Sequence, residues 1–413
     1  MLRGASIVCL SSIDWNFNRQ NPQEVSHAFA ERGNRVLFIE NTGVRSATLR
    51  DAPRLWSRFL HWWHARGGVS QVATGIKVLS PLVLPFPYSP AAVSVNTRVL
   101  LRALRRWLSD DRGPLIVITF LPTPLVRELI AELNPALVVY YCIDRLAESS
   151  LAARQVVHSE RKLFAEADLV LVTSKLLYQI AAELSSHVSV VASGVRVDEF
   201  ERARQSRAQS HSAFSGLCRP IVGYVGSLRS STDVALLMSA AKLAPDLQFV
   251  LIGPRFVDVA SLASQPNVRL INAIPHTDVM NYMVRFDVGV LPYLIDEFTA
   301  GIMPVKLKEY LAAGLPVVST RLPEVCHFAE EHHGLVRFAG SADEFVAALR
   351  AALADNSAAA VERRIAVARK YEWNDQMARM MELIEQSLAK LPSHKAFPQK
   401  SEIVLGSGQY RER

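Results

Sequence analysis

Short apolar runs recur along the chain, separated by stretches whose apolar positions return every three or four residues. Residues 6–10, 35–40, 115–119, 137–141, 169–173 and 188–191 are such runs, and 220–227, 249–254, 268–271, 287–291 and 317–319 continue the series. Runs of this length without strict alternation read as strands buried on both faces, and the stretches between them as amphipathic helices. The first helix is well marked. Asn21-Pro22-Gln23-Glu24 offers a cap, a proline at the first helical position and a glutamate at the third; Val25, Ala28 and Phe29 line an apolar face, and Gly33 ends it. Strand, helix and strand within roughly 35 residues make a parallel βαβ unit. Residues 338–353 read as a further helix.

Two interruptions of this rhythm organise the chain. Residues 201–219 are dominated by Arg, Gln, Ser and His without an apolar period, which is the composition of a linker. The pattern therefore predicts an α/β protein of two doubly wound, Rossmann-like domains, 1–200 and 220–372, facing each other across a ligand cleft. A length of 413 residues suits two domains. A helix over 373–390 is expected to pack back toward the first domain, and the polar tail 391–413 to be disordered.

The second interruption is 54–112, where Leu55-Trp56, Phe59-Leu60 and Trp62-Trp63 interleave with basic side chains. Nine Lys or Arg residues face only Asp110 and Asp111 there. Such a basic, aromatic face suits an anionic membrane surface, or it is the solvated side of ordinary helices covering the sheet.

The stretch 296–324 carries the most chemistry. Pro304 stands where a first helical residue belongs, and Gly314 followed by Pro316 closes a short helix before Val317-Val318-Ser319 resumes as a strand. Lys306 and Glu309 share one face of that helix. As a surface ion pair they are worth only about 0.3 kcal/mol, in the poorer order and with a lysine opposing the helix dipole. Both costs turn into gains if an anion sits at the helix start, where free N–H groups and the ammonium converge. Glu309, one turn deeper, is placed to accept hydrogen bonds from hydroxyls joined to that anion. A phosphate attached to a ribose meets both demands.

The remaining composition narrows the class. Cys9, Cys142, Cys218 and Cys326 show no paired spacing, which predicts ordinary buried, reduced thiols and no zinc site. No window reaches the roughly 20 apolar residues of a spanning helix, and the first apolar run reads as a strand rather than a signal peptide. The expected location is cytoplasmic, with any membrane contact peripheral at the inner face. No nucleic-acid-binding motif is present, and no glycine-rich dinucleotide fingerprint follows the first strand of either half.

Several ordered motifs together resemble the GT-B glycosyltransferases of group 1, in particular those of bacterial teichuronic acid and exopolysaccharide assembly. They are Tyr141-Cys-Ile-Asp144, Ala167-Asp168 with Thr173-Ser174, Ser193-Gly194-Val195, and Gly223-Tyr-Val-Gly226-Ser227-Leu228. Further along come Leu251-Ile-Gly-Pro254, Phe286-Asp287-Val288 with Leu291-Pro292-Tyr293, and Pro304-Val-Lys306-Leu-Lys-Glu309-Tyr310 with Gly314-Leu-Pro316-Val-Val318. The resemblance implies a nucleotide-diphosphate sugar held by the C-terminal half and a saccharide or lipid-linked acceptor presented by the N-terminal half. By position, Glu309 would bind the donor ribose. Lys306 and the backbone of Gly301, Met303 and Pro304 would face the diphosphate, Gly226 and Ser227 would form the turn beside it, and Ile274 with Pro275 would pack the base. Asn18, Arg19, Gln20 and Asn21, after the first strand, would lie on the acceptor side.

The chain also departs from the group 1 pattern. The first glutamate of the usual Glu-x7-Glu pair falls at Gly301, and the usual Arg and Lys after the first C-domain strand fall at Ser227 and Asp233. Lys306, with Arg229, would supply that charge. A lysine three residues before the ribose-binding position is similar to inverting glucuronosyltransferases, in which an N-domain aspartate is the base. Asp144 matches it, and would bind acceptor instead if the enzyme retains configuration. The resemblance implies transfer without a metal or other cofactor, the nucleotide sugar being a co-substrate. The other classes kept open are a non-catalytic nucleotide- or saccharide-binding protein of the same fold and a sugar-nucleotide epimerase.

Overall fold

The computed structural model describes residues 2–16, 20–43, 68–109, 113–149, 153–205 and 212–390. They form two compact units: the first comprises Met1–Val172, Tyr178–Val190 and Met377–Arg413, the second Thr173–Leu177 and Val191–Gln376.

The first unit is built on a sheet of eight strands: β1 (Ser6–Leu10), β2 (Arg35–Ile39), β3 (Val69–Ala73), β4 (Ile76–Leu79), β5 (Leu115–Thr119), β6 (Leu137–Cys142), β7 (Leu169–Val172) and β8 (Val188–Val190), in the order β3-β4-β2-β1-β5-β6-β7-β8. Every pairing is parallel except β3 with β4. The continuous apolar runs explain this, because β1, β5 and β6 are buried along nearly their whole length, as a parallel sheet covered by helices on both faces requires. β3 and β4 lie in none of the predicted runs; β3, Val-Ser-Gln-Val-Ala, is largely exposed and so carries no buried-strand signature.

The second unit has six parallel strands, β9 (Ile221–Val225), β10 (Gln248–Ile252), β11 (Val268–Ile271), β12 (Val288–Leu291), β13 (Val317–Ser319) and β14 (Val336–Phe338), in the order β11-β10-β9-β12-β13-β14. Its two faces carry separate apolar layers, one around Phe286, Leu307, Tyr310 and Leu311 and the other around Leu237, Phe249, Phe345 and Leu349. In both sheets the order of strands reverses at one point, between β1 and β5 and between β9 and β12. In open α/β sheets ligands bind where the strand order reverses, beyond the carboxyl ends of the strands.

Several local expectations are corrected. The first helix is Asn21–Glu31 with Gln20, not Asn21, at its cap, because the Gln23 side chain accepts the Gln20 N–H at 3.1 Å. Phe338 ends β14, and the helix begins at Ala342 behind a Ser341 cap. Residues 201–205, expected as linker, are helical: Val197–Gln205 buries Val197, Phe200 and Ala203 in the core of the second unit, and that unit already begins at Val191. Residues 206–211 and the tail 391–413 lie outside the described residues. Of the four thiols, Cys9 and Cys142 are buried as expected, whereas Cys218 is exposed and Cys326 half-buried.

The second unit borrows Thr173–Leu177 from the middle of the first unit's sequence. Glu324, itself buried, accepts hydrogen bonds from the backbone N–H groups of Lys175 at 3.0 Å and Leu176 at 2.8 Å, capping the start of the helix Lys175–Ala182. Its carboxylate therefore meets the positive end of that helix.

Candidate nucleotide site

The site is assembled where β9 and β12 adjoin. Gly226 follows β9 with φ +151°, a conformation that L side chains rarely adopt, and its N–H donates to the Ile252 carbonyl at 2.8 Å. A Cβ added there would press on the Lys306 side chain, falling 2.8 Å from Nζ. The glycine is therefore what allows the lysine to lie across this turn.

The helix Val305–Ala312 reaches this point because it is seated from beneath. Gly289 on β12 leaves room for the Tyr310 ring, which an added Cβ would meet at 2.5 Å, and the Tyr310 hydroxyl accepts the Val225 N–H at 3.2 Å. Tyr310 and Lys306 are four residues apart on one face, so fixing the former to the end of β9 sets the latter over Gly226. Pro304 caps the helix with ψ 123°, and Val305, rather than Pro304, is the first helical residue. The approach to the cap is a tight loop in which Asp296 and Thr299 exchange hydrogen bonds of 2.9 and 2.8 Å, followed by the turn Thr299–Gly301.

The electrostatics favour a cation. Burial alone would push the Lys306 amine down, but the phenols of Tyr293 and Tyr224 and the Glu309 carboxylate more than offset it and hold it above the usual lysine range. Its Nζ lies 5.9 Å from the Tyr224 ring centroid. For Glu309, burial raises the carboxyl, while Lys306 and His276 pull it the other way and the net shift is upward. Among the described residues no hydrogen bond satisfies the Glu309 carboxylate, so its acceptor capacity is open to a ligand. The Tyr224 hydroxyl donates to the Ser227 carbonyl at 3.1 Å and shapes the turn after β9.

The structure thus brings together Lys306, Gly226, Ser227, Glu309, Pro304 and Gly301. Arg229 is directed elsewhere: its guanidinium stacks 4.5 Å from the ring centroid of the exposed Phe256. Met303 and Ile274 are partly buried against the apolar layer that holds Leu307 and Tyr310. Tyr224 and Tyr293 were not singled out as site residues in the sequence. They lie in the motifs around Gly223 and Leu291, and only the adjacency of β9 and β12 shows that both face the same lysine.

In the first unit, Asp144 stands two residues beyond β6, and among the described residues its carboxylate has no hydrogen-bond partner. Burial lifts it to about 6. On the same strand Tyr141 receives a 3.4 Å hydrogen bond from the Asn21 side chain. Asn21 is buried and Gln20 exposed; Asn18 and Arg19 lie outside the described residues. No helix among the described residues is long and apolar enough to cross a membrane.

Residues 219–355 match the family described as Glycosyl transferases group 1. Over 263 residues the chain is 28% identical to TuaH of Bacillus subtilis (strain 168), whose name assigns it to teichuronic acid biosynthesis; the match covers 57% of this chain and 64% of TuaH, just under two thirds of that relative's length. Among solved structures it resembles sucrose-phosphate synthase from Thermosynechococcus elongatus, with a TM-score of 0.70 at 16% identity over 94% of this chain and 100% of that one. Anabaena Alr3699/HepE in complex with UDP gives 0.64 at 12% identity over 93% and 100%. WaaG, a glycosyltransferase involved in lipopolysaccharide biosynthesis, gives 0.60 at 14% identity over 92% and 99%. These structural likenesses concern the GT-B fold.

Proposed function

We propose that this chain, whose residues 219–355 form a group 1 glycosyl transferase domain, is a glycosyltransferase of cell-surface polysaccharide assembly that moves a sugar from a nucleotide-diphosphate donor to a saccharide or lipid-linked acceptor. The observation that carries the reading is the Lys306 ammonium lying on the Gly226 turn, one helical turn from the unsatisfied carboxylate of Glu309. An ammonium beside the start of a helix fits a pyrophosphate, and a carboxylate one turn deeper fits the ribose hydroxyls. The similarity to TuaH and the UDP complex of a structural neighbour support the same assignment.

In this reading the diphosphate departs against Lys306 and the first N–H groups of the helix Val305–Ala312, which neutralise the charge developing on the leaving oxygen. These groups supply the positive charge that a divalent ion gives elsewhere, so transfer proceeds without added metal. Asp144, an unpartnered carboxyl near 6, has the proton affinity of a general base working close to neutrality and would take the proton of an acceptor hydroxyl.

A peripheral membrane location has its own support. On the helix Pro90–Leu108, Val95, Val99, Arg98 and Arg102 are exposed. The exposed Leu82, Leu84 and Phe86 come just before it, and Asn96 of the helix both donates to and accepts from the Leu84 backbone, at 3.0 and 2.7 Å. Apolar side chains rimmed by arginines suit an anionic lipid surface that presents a lipid-linked acceptor. The part of 54–112 before residue 68 lies outside the described residues.

The assignment is tested by incubating the purified protein, with and without EDTA, with UDP- and GDP-sugars and membrane extract. Acceptor-dependent release of nucleotide diphosphate is expected in both conditions. Binding without release would make the chain a non-catalytic binder, and conversion of the donor without acceptor would make it an epimerase.

A further inference from the structure

Lys308 has no part in the site described above, yet it is among the largest fully buried side chains, 1% exposed. Its Nζ donates to the Ser193 carbonyl at 2.8 Å and lies 4.6 Å from the Tyr371 ring centroid. Among the described residues no carboxylate pairs with it. Burial pulls its amine down to about 7. Burying an amine where an aliphatic side chain would pack without that penalty is costly, so the gain must lie in what the amine holds.

It touches two segments of special position. The chain passes into the second unit at Val191 and leaves it after Gln376. Residues 193–197 and 371–373 run together: the Val195 N–H donates to the Tyr371 carbonyl at 2.8 Å, the Trp373 N–H to the Val195 carbonyl at 3.2 Å, and the Val197 N–H to the Glu372 carboxylate at 3.0 Å. Gly194 packs so closely that an added Cβ would meet Trp373 at 2.6 Å. Tyr371 is itself held, with its hydroxyl 3.1 Å from His332 Nε2 and its ring centroid 5.9 Å from that of Phe328. Lys308 reaches one segment through a carbonyl and the other through a ring face.

We propose that Lys308 is a positioning residue that fastens the helix bearing Lys306 and Glu309 to the paired segments 193–197 and 371–373, so that the nucleotide site and the points where the chain enters and leaves its unit open as one cooperative body. The nucleotide part of this statement rests on the reading of Lys306 and Glu309 given above.

Native-state hydrogen exchange on the full chain, with Lys308→Met and Lys308→Gln alongside, tests it. In the unsubstituted protein the amides of Val195, Trp373 and the helix Val305–Ala312 are expected to exchange through one opening with a common denaturant dependence. In Lys308→Met the helix and the paired segments should separate by tenfold or more in protection, and Lys308→Gln, which keeps a donor, should separate them less. Separate openings in the unsubstituted protein, or a shared opening that persists in Lys308→Met, overturn the proposal. With UDP or GDP added, protection should spread from the helix to 193–197 in the unsubstituted protein and stop at the helix in Lys308→Met. If neither nucleotide protects the helix in the unsubstituted protein, the nucleotide reading fails, and the ligand-free comparison still decides the role of Lys308.

Discussion

The Lys306 side chain rests on the bare α-carbon of Gly226, so that one methyl group on the glycine would fall 2.8 Å from the lysine nitrogen. Turn and cation are therefore parts of a single device, and a substitution at either should be read at the other. Gly226→Ala combines backbone strain of about 1–3 kcal/mol at φ +151° with displacement of the ammonium. Calorimetry with UDP and GDP should show affinity reduced by at least about tenfold, since each 1.4 kcal/mol is a factor of ten. Unchanged affinity in a folded variant would separate the turn from nucleotide binding.

Lys306→Ala removes the charge and leaves the helix seated by Tyr310. Transfer should fall by about 100-fold or more, the scale of losing a preorganised group that stabilises the leaving charge, with nucleotide binding weakened and the melting temperature little changed. Because the amine is held above its usual range, it stays protonated through neutrality, and its contribution to nucleotide binding should not decline with rising pH until above about pH 10. Nucleotide titrations across that range would reveal an earlier decline if the lysine were not the binding cation.

Asp144 predicts a pH profile. A base must be unprotonated, so with its carboxyl lifted to about 6 the transfer rate should rise as pH passes upward through that value and level off above it. Asp144→Asn should lose about 10²–10⁴-fold in rate together with this limb. A variant that keeps the limb and shows only a raised KM for acceptor would make Asp144 an acceptor-binding residue and point to retention of configuration.

Lys308 makes a prediction about stability. An amine near 7 in the fold and near 10.5 when unfolded binds fewer protons folded than unfolded between those values, so this group makes stability rise with pH across that window. The penalty is fully present below about pH 7 and relieved above about pH 10.5, and its full size is on the order of a few kcal/mol. In Lys308→Met that share of the rise should vanish, which denaturant titrations of both proteins at pH 6.5 and 9.5 would measure. Equal slopes would mean that the amine is not perturbed.

The exposed face of the helix Pro90–Leu108 gives a fifth test. Arg98→Glu with Arg102→Glu should reduce co-sedimentation with vesicles containing phosphatidylglycerol, by about 1 kcal/mol of binding per basic residue removed, and leave transfer to a short soluble acceptor unaltered. Sedimentation that is indifferent to both charge reversals would return this face to ordinary solvated surface.

Much of this was legible along the chain where the signal is local. The apolar runs marked eleven of the fourteen strands among the described residues; the exposed β3, the four-residue β4 and the three-residue β14 escaped for want of such a run. Lys306 and Glu309 stood out because their order and place oppose the dipole of their own helix. Tyr224 and Tyr293 did not, because what unites them is the side-by-side placement of β9 and β12, which no local pattern encodes. Arg229, which the resemblance implied would share the positive charge with Lys306, has its guanidinium 4.5 Å from the Phe256 ring centroid, a contact that no local pattern encodes. Lys308 gave no signal, since its burial depends on a carbonyl 115 residues earlier in the chain. The helix Val197–Gln205 was hidden by its many charged residues, although Val197, Phe200 and Ala203 repeat at a helical interval.

The carboxylate of Glu324 has a practical implication for anyone recombining such proteins. A chimera joined at residue 190 would carry Glu324 from one parent and the N–H groups of Lys175 and Leu176 from the other, splitting a buried cap between two lineages. The transplantable module is therefore discontinuous, and a graft that ignores the short insert at 173–177 should yield hybrids that express poorly even when both parents are sound.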